Sequence, residues 1–226
     1  KIVELKRKEV DYRGYEEHPY NTLLDDYEEG MKISKLDPVF EKLKNGLVKL
    51  INKIKECDNY KNQKRKITAG EFDKDKQIVF SNEISEKLGL KNNFSRMDLS
   101  EHPFTTTLGL HDVRITTNVR DDVLFSIGST IHEAGHALYE LGMPSEEQYT
   151  VLGNAPSLGL HESQSRFWEN MIGLNKNFWK YFFPKFKELF GVENNLDLWY
   201  KEINQVYPNL IRIESDEVHY CLHIIL

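Results

Sequence analysis

Thr130 to Leu141 reads TIHEAGHALYEL and contains His132, Glu133 and His136 in the pattern H-E-x-x-H. On a helix, positions i and i+4 lie about 40° apart around the axis, so both imidazoles point the same way. Two neutral imidazoles on one face supply half of a tetrahedral zinc site. Glu133, beside them, is placed to take a proton from a water on the metal. The pattern alone also occurs by chance on ordinary amphipathic helices, so the rest of the chain must position further groups.

A third ligand is required. The segment 157–173, SLGLHESQSRFWENMIG, offers Glu162, which lies 30 residues after His132. That spacing accommodates the end of the first helix, a loop from Gly142 to Pro156 and the first turn of a second helix running back. Two His from one helix and one Glu from the next form the ligand set of His₂Glu zinc sites, whose fourth position is open. His161 is the rival third ligand and Glu169 a weaker one. Without a metal, Glu162 would make an i,i+4 ion pair with Arg166. A His₂Glu set accepts several divalent ions; zinc fits first, with cobalt or manganese as alternatives.

The carrier helix is well marked. Asp121 and Asp122 suit an N-terminal turn. Leu124, Ile127, Ile131, Ala134, Leu138 and Leu141 recur at helical spacing, and Gly142 and Pro144 end the run. The stripe is apolar enough to predict a buried helix. Upstream, Asp37-Pro38 reads as an N-cap followed by proline at the first helical position. Phe40, Leu43, Leu47, Leu50, Ile51 and Ile54 then continue a long amphipathic helix to about Glu56. Residues 73–88 predict another helix, closed by Gly89. Residues 1–30 are polar, and His18-Pro19 breaks any helix there. Lys61 to Lys66 is a short basic run read as a solvated connection.

The texture changes at Ser95. Asp112-Val113-Arg114-Ile115-Thr116 alternates, which predicts a half-buried strand carrying Asp112, Arg114 and Thr116 on one face. Such a strand could pair with an extended substrate, or belong to a structural hairpin in which Asp112 and Arg114 pair with neighbours. Further on, Phe178, Trp179, Tyr181, Phe182, Phe183, Phe186 and Phe190 read as core, interrupted by Pro184. Arg212, Asp216 and Tyr220 are spaced to share a helical face, and a buried Arg212–Asp216 pair is the structural reading of them.

Composition sets limits. The chain has 226 residues, enough for one large or two small domains. Its 30 basic and 36 acidic residues give a net charge of −6, which argues against a nucleic-acid partner. Two distant cysteines, Cys57 and Cys221, form no disulfide framework and fit a reducing cytoplasm. No apolar run approaches the length of a membrane span, and no signal-peptide pattern is seen. The chain opens on KIVELKRKEV and ends on CLHIIL, both of which read as cut from a longer protein.

Several motifs together resemble the carboxypeptidase Taq family. They are His102-Pro103-Phe104, the D-x-R-x-T strand at Asp112 to Thr116, HEAGH at 132–136 and HESQ at 161–164. Ile211 to Asp216 resembles the family's I-R-x-x-A-D with Ser215 in place of alanine, and YNTLLDDYEEGM at 20–31 is similar to a further segment. The resemblance implies a mostly helical metallopeptidase with a small β-element beside a long cleft, usually a homodimer. It would make residues 1–226 a single region, part of a catalytic domain. It implies that His132, His136 and Glu162 hold one divalent ion, that Glu133 is the catalytic base, and that Arg212 receives the free carboxylate of a peptide substrate. His102, Asp112, Arg114, Thr116, His161, Gln164 and Asp216 would line the cleft or support the ligands. The family's downstream G-x-x-Q-D-x-H-W motif is absent from this sequence, so the expectation extends to a chain that binds metal yet turns over poorly. A related metallo-endopeptidase or dipeptidase is the other enzymatic reading.

Overall fold

The computed structural model describes residues 1–64, 67–68, 70–208 and 215–225. Its central element is helix α6, Val123–Leu141, which starts where Asp122 accepts a hydrogen bond from Leu124 N and ends at Gly142. Two cores share this helix. Its first half contributes Val123, Ile127 and Ile131 to an aromatic cluster with Phe80, Trp179, Phe186 and Trp199. Its second half sets Ala134 and Ala137 against Val113 and Ile115 of a small sheet. The helix is therefore clamped at both ends, with the H-E-x-x-H residues between and beside the clamps.

The other helices are α1 (Ile2–Arg13), α2 (Pro19–Leu24), α3 (Ile33–Glu56), α4 (Asp58–Lys61), α5 (Lys74–Leu88), α7 (Leu158–Arg166), α8 (Lys176–Phe190), α9 (Leu196–Ile203) and α10 (Glu217–Ile225). Helix α5 matches the expected span, with Asp73 as its cap and Gly89 left-handed at φ 112° beyond its end. Two expectations based on proline fail. Helix α3 begins at Ile33, so Pro38 lies inside it and Asp37 is not its cap. The reason is tertiary: Asn21 Oδ1 accepts from Ile33 N at 2.9 Å, capping the helix from α2. Helix α8 likewise continues through Pro184. A proline inside a helix costs about 3 kcal/mol. Burying Phe182, Phe183 and Phe186 around it gains roughly 1.5–3 kcal/mol each and outweighs that cost. Helix α1 was not expected. Of its residues only Val10 is buried, so it carries little apolar periodicity.

The sheet has three strands, β1 (Ser95–Leu99), β2 (Thr105–Gly109) and β3 (Asp112–Thr117), in the order β1-β3-β2. Strand β1 runs parallel to β3, with Ser95 opposite Val113, and β2 runs antiparallel, with Thr105 opposite Ile115. The alternation read for β3 holds from Asp112 to Ile115, with Val113 and Ile115 buried against α6. Thr116, expected on the polar face with Asp112 and Arg114, is buried as well, because the loop carrying Phe104 covers it. The suggested role of β3 in pairing with substrate does not hold: the strand is central and both its edges are occupied. The edge beside α6 belongs to β2.

Helix α7 approaches α6 closely. A Cβ on Gly135 would lie 2.7 Å from Ser165 Cα and 2.9 Å from the Gln164 carbonyl oxygen. Glycine at the centre of HEAGH thus permits a backbone-to-backbone crossing. The start of α7 is held from the N-terminal region. Ser157 caps it through Leu160 N, while Glu28 accepts from the Ser157 hydroxyl and from Gly159 N. Beyond Arg166 the chain widens into a π-helical turn, Phe167–Ile172.

Candidate metal centre

The crossing of α6 and α7 brings three ligating groups together. Nε2 of His136 lies 3.1 Å from Oε2 of Glu162, and Nε2 of His132 lies 3.7 Å from the same oxygen. The two imidazoles stand nearly perpendicular, with ring centroids 5.0 Å apart. Among the described residues, these three form the group of His, Cys, Asp and Glu side chains whose ligand atoms converge closely enough to hold a metal ion. The donor set suits a divalent ion, because both Nε2 atoms face the Glu162 carboxylate while both Nδ1 atoms are engaged by the protein.

Of the rival ligands, Glu169 Oε2 meets the opposite nitrogen of His132, Nδ1, at 2.9 Å. His161 meets His136 on its far side, Nδ1 to Nδ1, at 2.6 Å. Both rivals stand behind the imidazoles rather than among the converging atoms. The ion pair between Glu162 and Arg166 is not formed. Arg166 instead pairs with Glu169 at 2.8 Å and Glu217 at 3.0 Å and lies over the Tyr220 ring. The Tyr220 hydroxyl donates to Oε1 of Glu162 at 3.1 Å. Burial, reinforced by Glu162, pushes the phenol up to about 12, so it remains a donor at neutral pH.

The charges are tuned by place. Burial alone would raise Glu162, but His136 and His132 overcome it and hold the carboxyl at about 2. For His132, burial disfavours the imidazolium, yet the Glu169 hydrogen bond and the surrounding carboxylates raise its pKa overall. Glu133 is raised, chiefly by burial, against the pull of a hydrogen bond from Thr105. That bond is 2.6 Å long and ends on Oε2 of Glu133. Glu133 also borders a cavity of about 320 Å³ lined by Pro103, Phe104, Thr105, His136 and His161, among others. A larger cavity of about 390 Å³ lies on the other side of α6 and touches the centre only through Glu169.

The remaining expected residues fall in varied places. His102 is exposed and outside the small cavity's lining, whereas Pro103 and Phe104 belong to it. Asp112 and Arg114 pair with each other at 2.9 Å. Thr116 pins the loop that carries His-Pro-Phe: its hydroxyl accepts from Phe104 N and from the Ser100 hydroxyl. Gln164 supplies the carbonyl at the helix crossing. Asp216 accepts from Val218 N and His219 N at the start of α10, so it precedes the helix instead of sharing a face with Tyr220. Arg212 lies outside the described residues, and with it the suggested pair to Asp216. The sequence reading missed Thr105, Thr107 and Glu140. Glu140 follows His136 by four residues, on the same helical face, which is a signal that spacing could have given.

The model of the carboxypeptidase Taq (M32) metallopeptidase family matches residues 1–226. The chain belongs to that family. As an M32 sequence it is 39% identical over its whole length to carboxypeptidase 1 of Bacillus subtilis, covering 45% of that protein. It is 42% identical to thermostable carboxypeptidase 1 of Thermus thermophilus over 92% of this chain and 41% of the relative. A solved Pyrococcus furiosus carboxypeptidase superposes with a TM-score of 0.89 at 38% identity, over 99% of this chain and 46% of that one. Metallocarboxypeptidase 1 of Trypanosoma cruzi also has a TM-score of 0.89, at 32% identity, over 99% and 46% of the two chains. This M32 chain therefore spans a little under half the length of the relatives it matches. No helix among the described residues is long and apolar enough to cross a membrane.

Proposed function

We propose that the protein bearing this chain is a metal-dependent carboxypeptidase that removes residues from the free C-terminus of peptides. The observation that carries the proposal is the convergence of His132 Nε2, His136 Nε2 and Glu162 Oε2 beside the buried carboxyl of Glu133. His132, His136 and Glu162 would hold one divalent ion, zinc first by donor type, with cobalt or manganese as substitutes. Such an ion would supply Lewis acidity at the scissile carbonyl and acidify a water.

The chain's own groups do the rest. Glu133 takes the proton of the attacking water on the oxygen that Thr105 does not hold, and later delivers it to the leaving amine. Its raised pKa brings it closer to neutral working pH, as a general base needs. Tyr220 and Ser165 fix Glu162 by hydrogen bonds to its two oxygens. The edge of β2, beside Glu133, offers backbone groups to an extended peptide. Arg212, carried over from the family's arginine, would receive the terminal carboxylate through its fork of donors. Two unbonded cysteines, one exposed, fit a reducing cytoplasm.

The test uses the whole protein and a peptide offered with a free or an amidated C-terminus. The free peptide should lose its last residue, a chelator should stop the reaction, and zinc should restore it. Glu133→Gln should keep the metal and lose most turnover. Equal cleavage of both peptides would replace this reading with an endopeptidase.

A further inference from the structure

His136 turns Nε2 toward Glu162, which leaves Nδ1 to the protein. That nitrogen faces Nδ1 of His161 at 2.6 Å. His161 Nε2 in turn lies 2.7 Å from Oε1 of Glu140. Oε2 of Glu140 accepts from the Thr107 hydroxyl at 3.0 Å, and the Tyr139 ring stands edge-on to His161 at 4.9 Å. The order of donors follows from the far end. A carboxylate only accepts, so His161 Nε2 carries the hydrogen. A neutral imidazole has one donor and one acceptor nitrogen. His161 Nδ1 is therefore the acceptor, and His136 Nδ1 must donate to it. The lone pair of His136 is thereby fixed on Nε2, the nitrogen that faces the other ligating atoms. His132 reaches its carboxylate directly, through Glu169 at 2.9 Å.

We propose that Glu140, acting through His161, is the positioning carboxylate of His136, and that it holds this imidazole in the tautomer and orientation a metal ligand requires. The proposal rests on the metal reading above. His161 is needed because Glu140 comes from α6 itself, one turn beyond His136, and a ring from α7 bridges the two. The same bridge ties the two ligand helices together next to Glu162. Thr107 holds Glu140 from β2, as Thr105 of that strand holds Glu133.

The experiment measures zinc affinity of the whole protein by competition with a chromophoric chelator. One equivalent should bind to the unaltered protein, and His132→Ala should abolish that binding. If either fails, the metal reading fails. With both satisfied, Glu140→Leu and His161→Phe should each weaken zinc binding about 10- to 100-fold. Glu140→Gln, which keeps an acceptor for His161, should recover most of the loss. The double variant His161→Phe/Glu140→Leu should be no weaker than His161→Phe alone, because the two residues act in series. Unchanged affinity in the single variants, or losses that multiply in the double one, would overturn the relay while leaving the metal site standing.

Discussion

The hydroxyl of Thr105 donates to Oε2 of Glu133 at 2.6 Å and also lies 3.0 Å from the backbone carbonyl of the same residue. One strand side chain thus ties the carboxyl to the sheet with its single hydroxyl hydrogen, given to the nearer acceptor. Thr105→Val preserves shape and removes the donor. A hydrogen bond to a charged group is worth about 1.5–3 kcal/mol. The variant should therefore lose roughly 10- to 100-fold in kcat, with zinc affinity unchanged. Steady-state kinetics with a free peptide, set beside a zinc titration, check this. A loss of zinc in step with activity would assign Thr105 a structural role instead.

Gly135→Ala should separate α6 from α7. The new methyl would meet backbone atoms of Ser165 and Gln164, which cannot swing aside. Overpacking of this kind costs about 1–3 kcal/mol. Thermal unfolding should shift down, and zinc affinity should fall, since Glu162 moves with α7. Unchanged affinity in a folded variant would mean that the crossing does not set the ligand spacing.

At the other end of the chain, Arg13 makes a two-pronged contact with Asp26, tying α1 to the segment after α2. Hydrogen bonds from Arg13 hold Asp26 below its ordinary value of 3.8. The folded pKa is thus the lower one. The pair's contribution is complete above the ordinary value and is lost as pH falls through the depressed one. Both side chains are more than a third exposed, so salt screens the pair. The protection of α1 amides, measured relative to the intrinsic exchange rate at each pH, should fall below about pH 4 and, at neutral pH, on adding salt. Protection that responds to neither would show that the Arg13–Asp26 pair does not hold α1, leaving Val10 and the hydrogen bond from Thr22 to Gly14 among its ties.

The parts of the site that local chemistry specifies were readable in the sequence. Asp122, the apolar stripe and Gly142 define α6, and alternation defines β3. Spacing brought Glu162 within reach of the two histidines but left His161 and Glu169 as rivals, and only the crossing of the helices shows that Glu162 is the one among the converging atoms. The errors come from partners distant in the chain. Pro38 looked like a helix start because the true cap, Asn21, lies on another element. Pro184 looked like a break because the gain from burying neighbouring aromatics is invisible locally. Thr105 and Thr107 acquire meaning only once the register of β2 against α6 is known.

The contact of Glu28 with the start of α7 gives the site a history in time. During synthesis His132, Glu133 and His136 emerge together, and Glu162 follows 30 residues later. Glu28 will by then have waited through 129 residues for Ser157. Closing a loop of that length costs entropy that grows only slowly with its size, so the delay is tolerable, yet the closure is late. A growing chain has all three converging groups, His132, His136 and Glu162, once residue 162 is made. The helix that carries Glu162 is anchored at its start only when Glu28 comes back to meet Ser157 and Gly159.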